Sequence, residues 1–358
     1  MKKSVYTRLS INALFLILLC LTACQQIPHV EDLFDKQHGN FSDNDSDINS
    51  ADLYGTWLIK SEDYVAIVVF EDGGTSHDGV GFQGCYTVVE YSVAYGEYIF
   101  AGNYWGGYNY VGGGEIQVGR PILCRPSFEE GSSLFDKEIT NLPIIYPAMF
   151  IKELDNQTMV VEIQEQRFVG TRNTEYVGDD ADDAYKKYAD LGLSVNWAKC
   201  NIGAVAAEQC GDYFGWGDAD GQNTSTDYDQ YPCRPNDLPS TIINTPYDMA
   251  KANWGGAWRI PSISEMWELF VGCAMERITY KGIEGRKCTG VTGESIFLPC
   301  AGYREGVNVE CVGVCFRYWS GDLDSRDYKS ALGEFSGHYA ANHEDRYIGC
   351  SVRAVCDK

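Results

Sequence analysis

The residues with the most chemistry to offer lie late in the chain. Between Tyr318 and Tyr347 stand Trp319, Asp322, Asp324, Arg326, Asp327, Tyr328, His338, Tyr339, Asn342, His343, Asp345 and Arg346. Aromatic faces beside carboxylates and amides supply an apolar platform and directional hydrogen bonds together, as recognition of a sugar or a protein epitope requires. The expectation is a ligand-binding surface comprising Trp319, Asp322, Asp324, Tyr328, Tyr339, Asn342 and Tyr347, carried on loops above a rigid scaffold. Metal readings fare worse. His338 and His343 lack a third zinc ligand at an obvious spacing. Asp218-Ala219-Asp220-Gly221 lacks the distal bidentate Glu of a calcium loop. Cys311-x3-Cys315 has no second pair. No catalytic set, metal or cofactor is assigned, and binding is expected rather than catalysis.

Such loops need something to hold them. The stretch Asn253 to Phe270, NWGGAWRIPSISEMWELF, has the makings of that scaffold. Ser262 or Ser264 can cap a helix, and from Ser262 the Glu265 side chain stands at capping-box spacing. Met266, Leu269 and Phe270 then form one apolar stripe. Trp254, Trp258 and Trp267 are expected to fill space between loop and sheet, away from any ligand. A second helix is expected at Pro246–Asn253.

The 358 residues suggest more than one domain. The formal charge is −23, and removal of residues 1–23, which hold Lys2, Lys3 and Arg8 and no acid, takes it to −26. So acidic a surface repels phosphate backbones, so no nucleic-acid partner is expected. At the N-terminus Lys2 and Lys3 precede the mostly apolar run Ile11–Leu21, too short for a comfortable membrane span. Leu21-Thr22-Ala23-Cys24 resembles the bacterial lipobox, which implies cleavage before Cys24, lipidation of its thiol by diacylglycerol with palmitate-type chains, and a membrane anchor in the cell envelope, at the outer membrane. Residues 24–50 read as a polar tether, and 173–187 as an acidic linker.

Between them, residues 51–172 alternate short apolar runs with turn residues. Strands are expected at Leu53–Ile59, Tyr64–Phe70, Cys85–Val93, Glu97–Gly102, Gly114–Val118, Ala148–Glu153, Thr158–Gln164 and Arg167–Thr171, with a turn at Glu71-Asp72-Gly73-Gly74. This is an all-β pattern, a barrel or sandwich. Asn103–Tyr110 reads as an aromatic loop. Gly55-Thr56-Trp57 and Gln166-Arg167-Phe168-Val169-Gly170 resemble the small lipocalin-like domains of Bacteroidetes lipoproteins. That resemblance implies a barrel with Trp57 plugging one end and a late Arg packed across it. Such a barrel holds one small ligand or is filled by side chains.

Residues 188–358 carry an ordered series: Leu191-Gly192-Leu193-Ser194-Val195-Asn196-Trp197-Ala198, Gly215-Trp216-Gly217, Trp254–Phe270, Leu298-Pro299-Cys300-Ala301-Gly302-Tyr303-Arg304, Tyr318-Trp319-Ser320 and Gly349-Cys350-Ser351-Val352-Arg353. The series resembles the Fibrobacter succinogenes major paralogous domain. It implies a loop-rich α+β, C-type-lectin-like fold of the formylglycine-generating-enzyme type, with two helices, termini that meet in one sheet, and a ligand surface built by late loops. The implied protein is a lipid-anchored envelope module binding a glycan or protein in adhesion. A structural or fimbrial-type component is the alternative, and a formylglycine-generating-type enzyme stands third. After Cys20 and Cys24, twelve of the 14 cysteines remain, two in the β-rich part and ten in the last. In an exported chain these even counts suit disulfides of undefined connectivity.

Overall fold

The computed structural model describes residues 48–77, 80–119, 122–124, 135–138, 145–163, 166–173, 187–227, 231, 240–323, 330–335 and 338–358. Cys24, the signal-like segment and most of both linkers lie outside them. The chain divides into two compact units, Met1–Cys124 with Lys137–Thr174, and Arg125–Asp136 with Glu175–Lys358.

The first unit is a closed antiparallel barrel, not a sandwich. Its strands are β1 (Gly55–Lys60), β2 (Tyr64–His77), β3 (Val80–Ala94), β4 (Glu97–Gly112), β5 (Glu115–Gly119), β6 (Ile122–Cys124), β7 (Phe135–Glu138), β8 (Ile145–Leu154), β9 (Thr158–Ile163) and β10 (Gln166–Arg172). The ring runs β1-β2-β3-β4-β5-β8-β9-β10 and closes from β10 back onto β1, so none of these strands is left as a free edge. Strand β6 pairs with the first half of β4. Two expectations fail here. Glu71–Gly74 is no turn: β2 runs through it and absorbs the irregularity as a bulge between Asp72 and Thr75. Asn103–Tyr110 is no loop: it is the middle of β4. Its glycines pass for loop residues, but they make room for rings. A Cβ on Gly106 would meet the Tyr86 ring at 2.9 Å, and one on Gly107 the Phe82 ring at 2.4 Å.

Trp57, Ile59, Ala66, Val68, Phe70, Tyr86, Val88, Tyr108, Ile116, Val118, Ile151, Met159 and Val161 form one buried cluster. The short 3-10 turn Ser50–Leu53 closes one end, where the Trp57 indole donates to the Leu53 carbonyl at 2.7 Å. The late arginine over that indole is Arg172, its guanidinium 4.2 Å from the ring centroid, while it donates to the Tyr54 and Asp52 carbonyls. Arg167 instead pairs with Glu153 on the exterior. The reason is parity: Arg172 lies opposite Trp57 in the β1–β10 register, whereas Arg167 falls on the other face.

The second unit uses short elements: β11 (Tyr188–Ala189), β12 (Val195–Ala198), helix α1 (Met249–Trp254), helix α2 (Ile263–Gly272), β13 (Ala274–Tyr280), β14 (Ile283–Thr289), β15 (Ser295–Pro299), β16 (Tyr303–Glu305), β17 (Asn308–Glu310), β18 (Ser330–Phe335), β19 (His338–Asp345) and β20 (Val355–Asp357). First and last strands share the sheet β11-β12-β20. Helix α2 starts as its sequence expects: Ser262 Oγ accepts from Glu265 N–H, and Glu265 reaches back to Ser262 N–H at 2.7 Å. Met266, Leu269 and Phe270 are buried. Arg259 grips Glu265 through both guanidinium nitrogens at 2.9 and 2.7 Å and holds Asp357 at 2.8 Å, tying the Arg-x-Pro turn to β20. Gly255 and Gly256, at φ +67° and +59°, supply the left-handed turn between α1 and that arginine. Buried Asp248 caps α1 at Lys251 N–H and also accepts from Ile260 N–H, both at 3.0 Å.

Trp254 and Trp258 meet edge to face, centroids 5.2 Å apart, inside the main buried cluster. Trp258→Ala should destabilise this unit by roughly 3–5 kcal/mol, as a large-to-small core change. A urea titration followed by tryptophan fluorescence measures it, and a loss under about 1 kcal/mol would contradict the packing role.

Candidate functional site in the barrel interior

The barrel places one carboxylate, Glu90, with an oxygen that no described residue answers. Along β3, Tyr86, Val88 and Glu90 fall on the inward face, since Val88 registers with Val68 and Glu90 with Ala66, both members of the interior cluster. Trp57 registers with Val68, and Ile59 with Ala66, so Glu90 stands one step beyond the Trp57 level, away from the plugged end. Glu90 is 4% exposed, and its Oε2 has no hydrogen-bond partner among the described residues. Burial pushes the carboxyl up to about 8. Cross-strand from Glu90 is Gly102, over which the Tyr104 ring lies: a Cβ there would meet that ring at 2.5 Å. Tyr64, one further step along β2, keeps a buried hydroxyl that also lacks a partner. Burial first, and the Glu90 charge second, raise the phenols of Tyr64 and Tyr104, the latter to about 12. Buried polar atoms are nearly always paired in folded proteins. Among the described residues, one carboxyl oxygen and one phenol are thus left open within the barrel interior.

Sequence reasoning missed all three residues. A signal was present: in Tyr86-Thr87-Val88-Val89-Glu90-Tyr91 the even positions carry the barrel face, and Glu90 is the acid among them.

The late-chain residues meet a different fate. Trp319 is a correction: it is fully buried, and its indole donates to the Phe214 carbonyl at 2.6 Å. The Tyr318–Ser320 stretch crosses Phe214–Trp216 inside the core, where the Trp216 indole in turn donates to the Ser320 carbonyl. Asp322 is half-buried and accepts from Ile263 N–H at 2.8 Å, so it serves the start of α2. Tyr347 is half-buried against the main cluster of the second unit, the cluster that contains Trp258. Its phenol is raised to about 12 by burial and then by its hydrogen bond to Asp345, which is exposed. Asp324, Arg326, Asp327 and Tyr328 lie outside the described residues. Tyr339 and Asn342 are described as backbone of β19 alone. Arg346, placed in the candidate surface by sequence, is fully buried with its guanidinium carbon 5.7 Å from the Trp216 ring centroid. Beside it the half-buried Glu344 carboxyl, raised to about 7 by burial, pairs with Arg317 at 2.9 Å.

Asp218 and Asp220 close their own loop, accepting from Asn223 and Gln222 N–H at 2.9 and 3.1 Å. Burial pushes the Asp218 carboxyl up to about 6. Among the described residues Cys210, Cys273, Cys311, Cys315, Cys350 and Cys356 stand unbridged here, where their even counts suggest disulfides. A cleft of about 570 Å³ beside Asp52, Asp155 and Arg172 lies at the plugged end. Of its lining groups, Asp155 accepts from Gln157 and Thr158 N–H, and Arg172 donates to the Tyr54 and Asp52 carbonyls.

Comparison with protein families, with curated proteins and with solved structures found no match for this chain.

Proposed function

We propose that this chain is a lipid-anchored binding protein of the bacterial cell envelope, held at the outer membrane through Cys24, whose barrel takes up a small organic amine. The open Glu90 carboxyl carries this reading. A buried acid without a counter-charge is forced to keep its proton, and an ammonium group would let it ionise while filling its missing contact. The rings of Tyr64 and Tyr104 supply faces that attract a cation, and the surrounding valines and aromatics suit an apolar body. The chemistry proposed here is binding.

Calorimetry on the full chain in detergent tests it, with 2-phenylethylamine as the probe and buffers of differing ionisation enthalpy at pH 7. Binding should release close to one proton as Glu90 ionises, and Glu90→Gln should weaken it about a hundredfold, the scale of a lost buried charge pair. Equal affinity in the variant sinks the reading.

A second reading keeps a glycan or protein as ligand of the late loops in a C-type-lectin-like second unit. Its support is the exposed Asp345 with the Tyr347 hydroxyl bonded to it, a polar pair on a ring backed by the core.

A further inference from the structure

The β16–β17 hairpin and the turn that follows carry an exposed thiol. Cys311 is exposed and holds φ +59°, a left-handed backbone that is uncommon away from glycine. Its carbonyl accepts from Val314 and Cys315 N–H at 3.0 and 2.9 Å, closing a single turn. That turn sets Cys315 one turn on from Cys311, on the same short loop. The turn is braced from below. Gly313 N–H donates to the Cys300 carbonyl at 2.7 Å, and Gly302 N–H to the Cys315 carbonyl at 2.9 Å. The packing is close enough that a Cβ on Gly302 would meet the Glu310 carbonyl oxygen at 2.0 Å. On the same hairpin and turn Val307, Val309, Val312 and Val314 are from 45% to 79% exposed. Four exposed valines within eight residues, with an exposed thiol among them, give this segment an apolar surface of the kind that meets a partner.

We propose that Cys311 and Cys315 are a dithiol–disulfide exchange pair whose co-reactant is a disulfide carried on an apolar segment of another polypeptide. The Cys311 thiolate attacks one sulfur of that disulfide. The substrate S–S bond breaks, a mixed disulfide forms on Cys311, and the first leaving thiolate takes up a proton. Cys315 sulfur then attacks the Cys311 sulfur, which expels the second substrate thiolate and leaves Cys311–Cys315 bridged. Two protein thiols are oxidised, one substrate disulfide is reduced to two thiols, and the two protons pass from the cysteines to the leaving groups. Exposure makes Cys311 the attacking residue. Burial, and next Cys311, hold the Cys315 thiol up at about 11. The Arg317 charge works in the opposite sense.

The test exposes the reduced full chain to glutathione disulfide and, separately, to a disulfide-bridged peptide with leucines beside its cysteines, followed by intact mass and peptide mapping. The wild type should end two hydrogens lighter, its new bridge mapped to Cys311 and Cys315. The peptide should react about tenfold faster than glutathione disulfide, reflecting the exposed valines. Cys315→Ser should accumulate a stable mixed disulfide on Cys311, with Cys315→Ala as a second variant that keeps the site apolar. Cys311→Ser should react about tenfold more slowly or not at all. A bridge mapped to Cys300 and Cys315, a wild type that stops at the mixed disulfide, or a Cys311→Ser variant at wild-type rate each overturn the exchange pair. Equal rates for the two co-reactants overturn the polypeptide partner.

Discussion

Arg353→Met should unfold the second unit under conditions where the wild type is fully folded. Arg353 is 1% exposed, and each guanidinium nitrogen donates to a different segment: Nε to Asn201 Oδ1 at 2.8 Å, one terminal nitrogen to the Ala198 carbonyl at 3.0 Å, the other to the Phe297 carbonyl at 2.8 Å. One planar fork thus joins β12, the loop after it and β15. Methionine fills similar volume but leaves those acceptors buried without these donors. Each orphaned acceptor costs about 1–3 kcal/mol, partly offset by no longer burying a cation, so the expected loss is roughly 3–5 kcal/mol. Arg353→Lys should fall close to Met, because a single ammonium cannot span acceptors on separated segments. A urea titration followed by near-ultraviolet circular dichroism reads the transition. A loss below about 1 kcal/mol for Met would mean that the fork is dispensable.

Glu90→Gln should change how stability depends on pH more than any other single exchange in the barrel. The unfolded carboxyl titrates at 4.5 and the folded one at about 8, raised by burial. Between those values the folded state holds the proton that the unfolded state has lost. Its stabilising contribution is therefore complete below 4.5, declines as pH rises, and is gone above 8. At ~1.4 kcal/mol per tenfold ratio the span is at most roughly 4–5 kcal/mol. Glutamine does not titrate. The two proteins should match at pH 4, and the variant should be the more stable above pH 8 by up to that span. Glu344 and Asp218 also carry raised carboxyls, but both proteins share them, so the difference curve isolates Glu90. Parallel curves from pH 4 to 9 would refute the buried acid.

Parts of this architecture were legible before any coordinates. The Ser262–Glu265 capping box follows from spacing alone, because both hydrogen bonds lie within one turn of chain. Most barrel strands were found to within a few residues by their alternation. What failed was information held by distant partners. Trp319 is followed by Ser320-Gly321-Asp322, which suggest a surface, but Phe214, far away in the chain, supplies its hydrogen-bond partner. Asp322 looked like a ligand contact and serves a helix start laid down much earlier. The glycines of Asn103–Tyr110 suggested a loop because their purpose, space for Tyr86 and Phe82 from the neighbouring strand, is invisible in that stretch. Glu90 was hidden by the same limit: its parity was readable, but the lack of a partner belongs to the closed barrel.

The Arg353 fork also governs how fast the second unit can assemble. Its bonds to Asn201 and Ala198 span 152 and 155 residues. The β12–β20 pairing and the Arg259–Asp357 contact are similarly remote in chain order. Contacts of such separation must wait for large loops to close, and folding slows as their share rises. Until β20 arrives, Trp197 and Trp216, both fully buried at the end, have no finished shelter. A chain emerging on the far side of a membrane would spend that interval with its tryptophans and thiols open to whatever surrounds it, and helper proteins that shield apolar surface should speed its maturation.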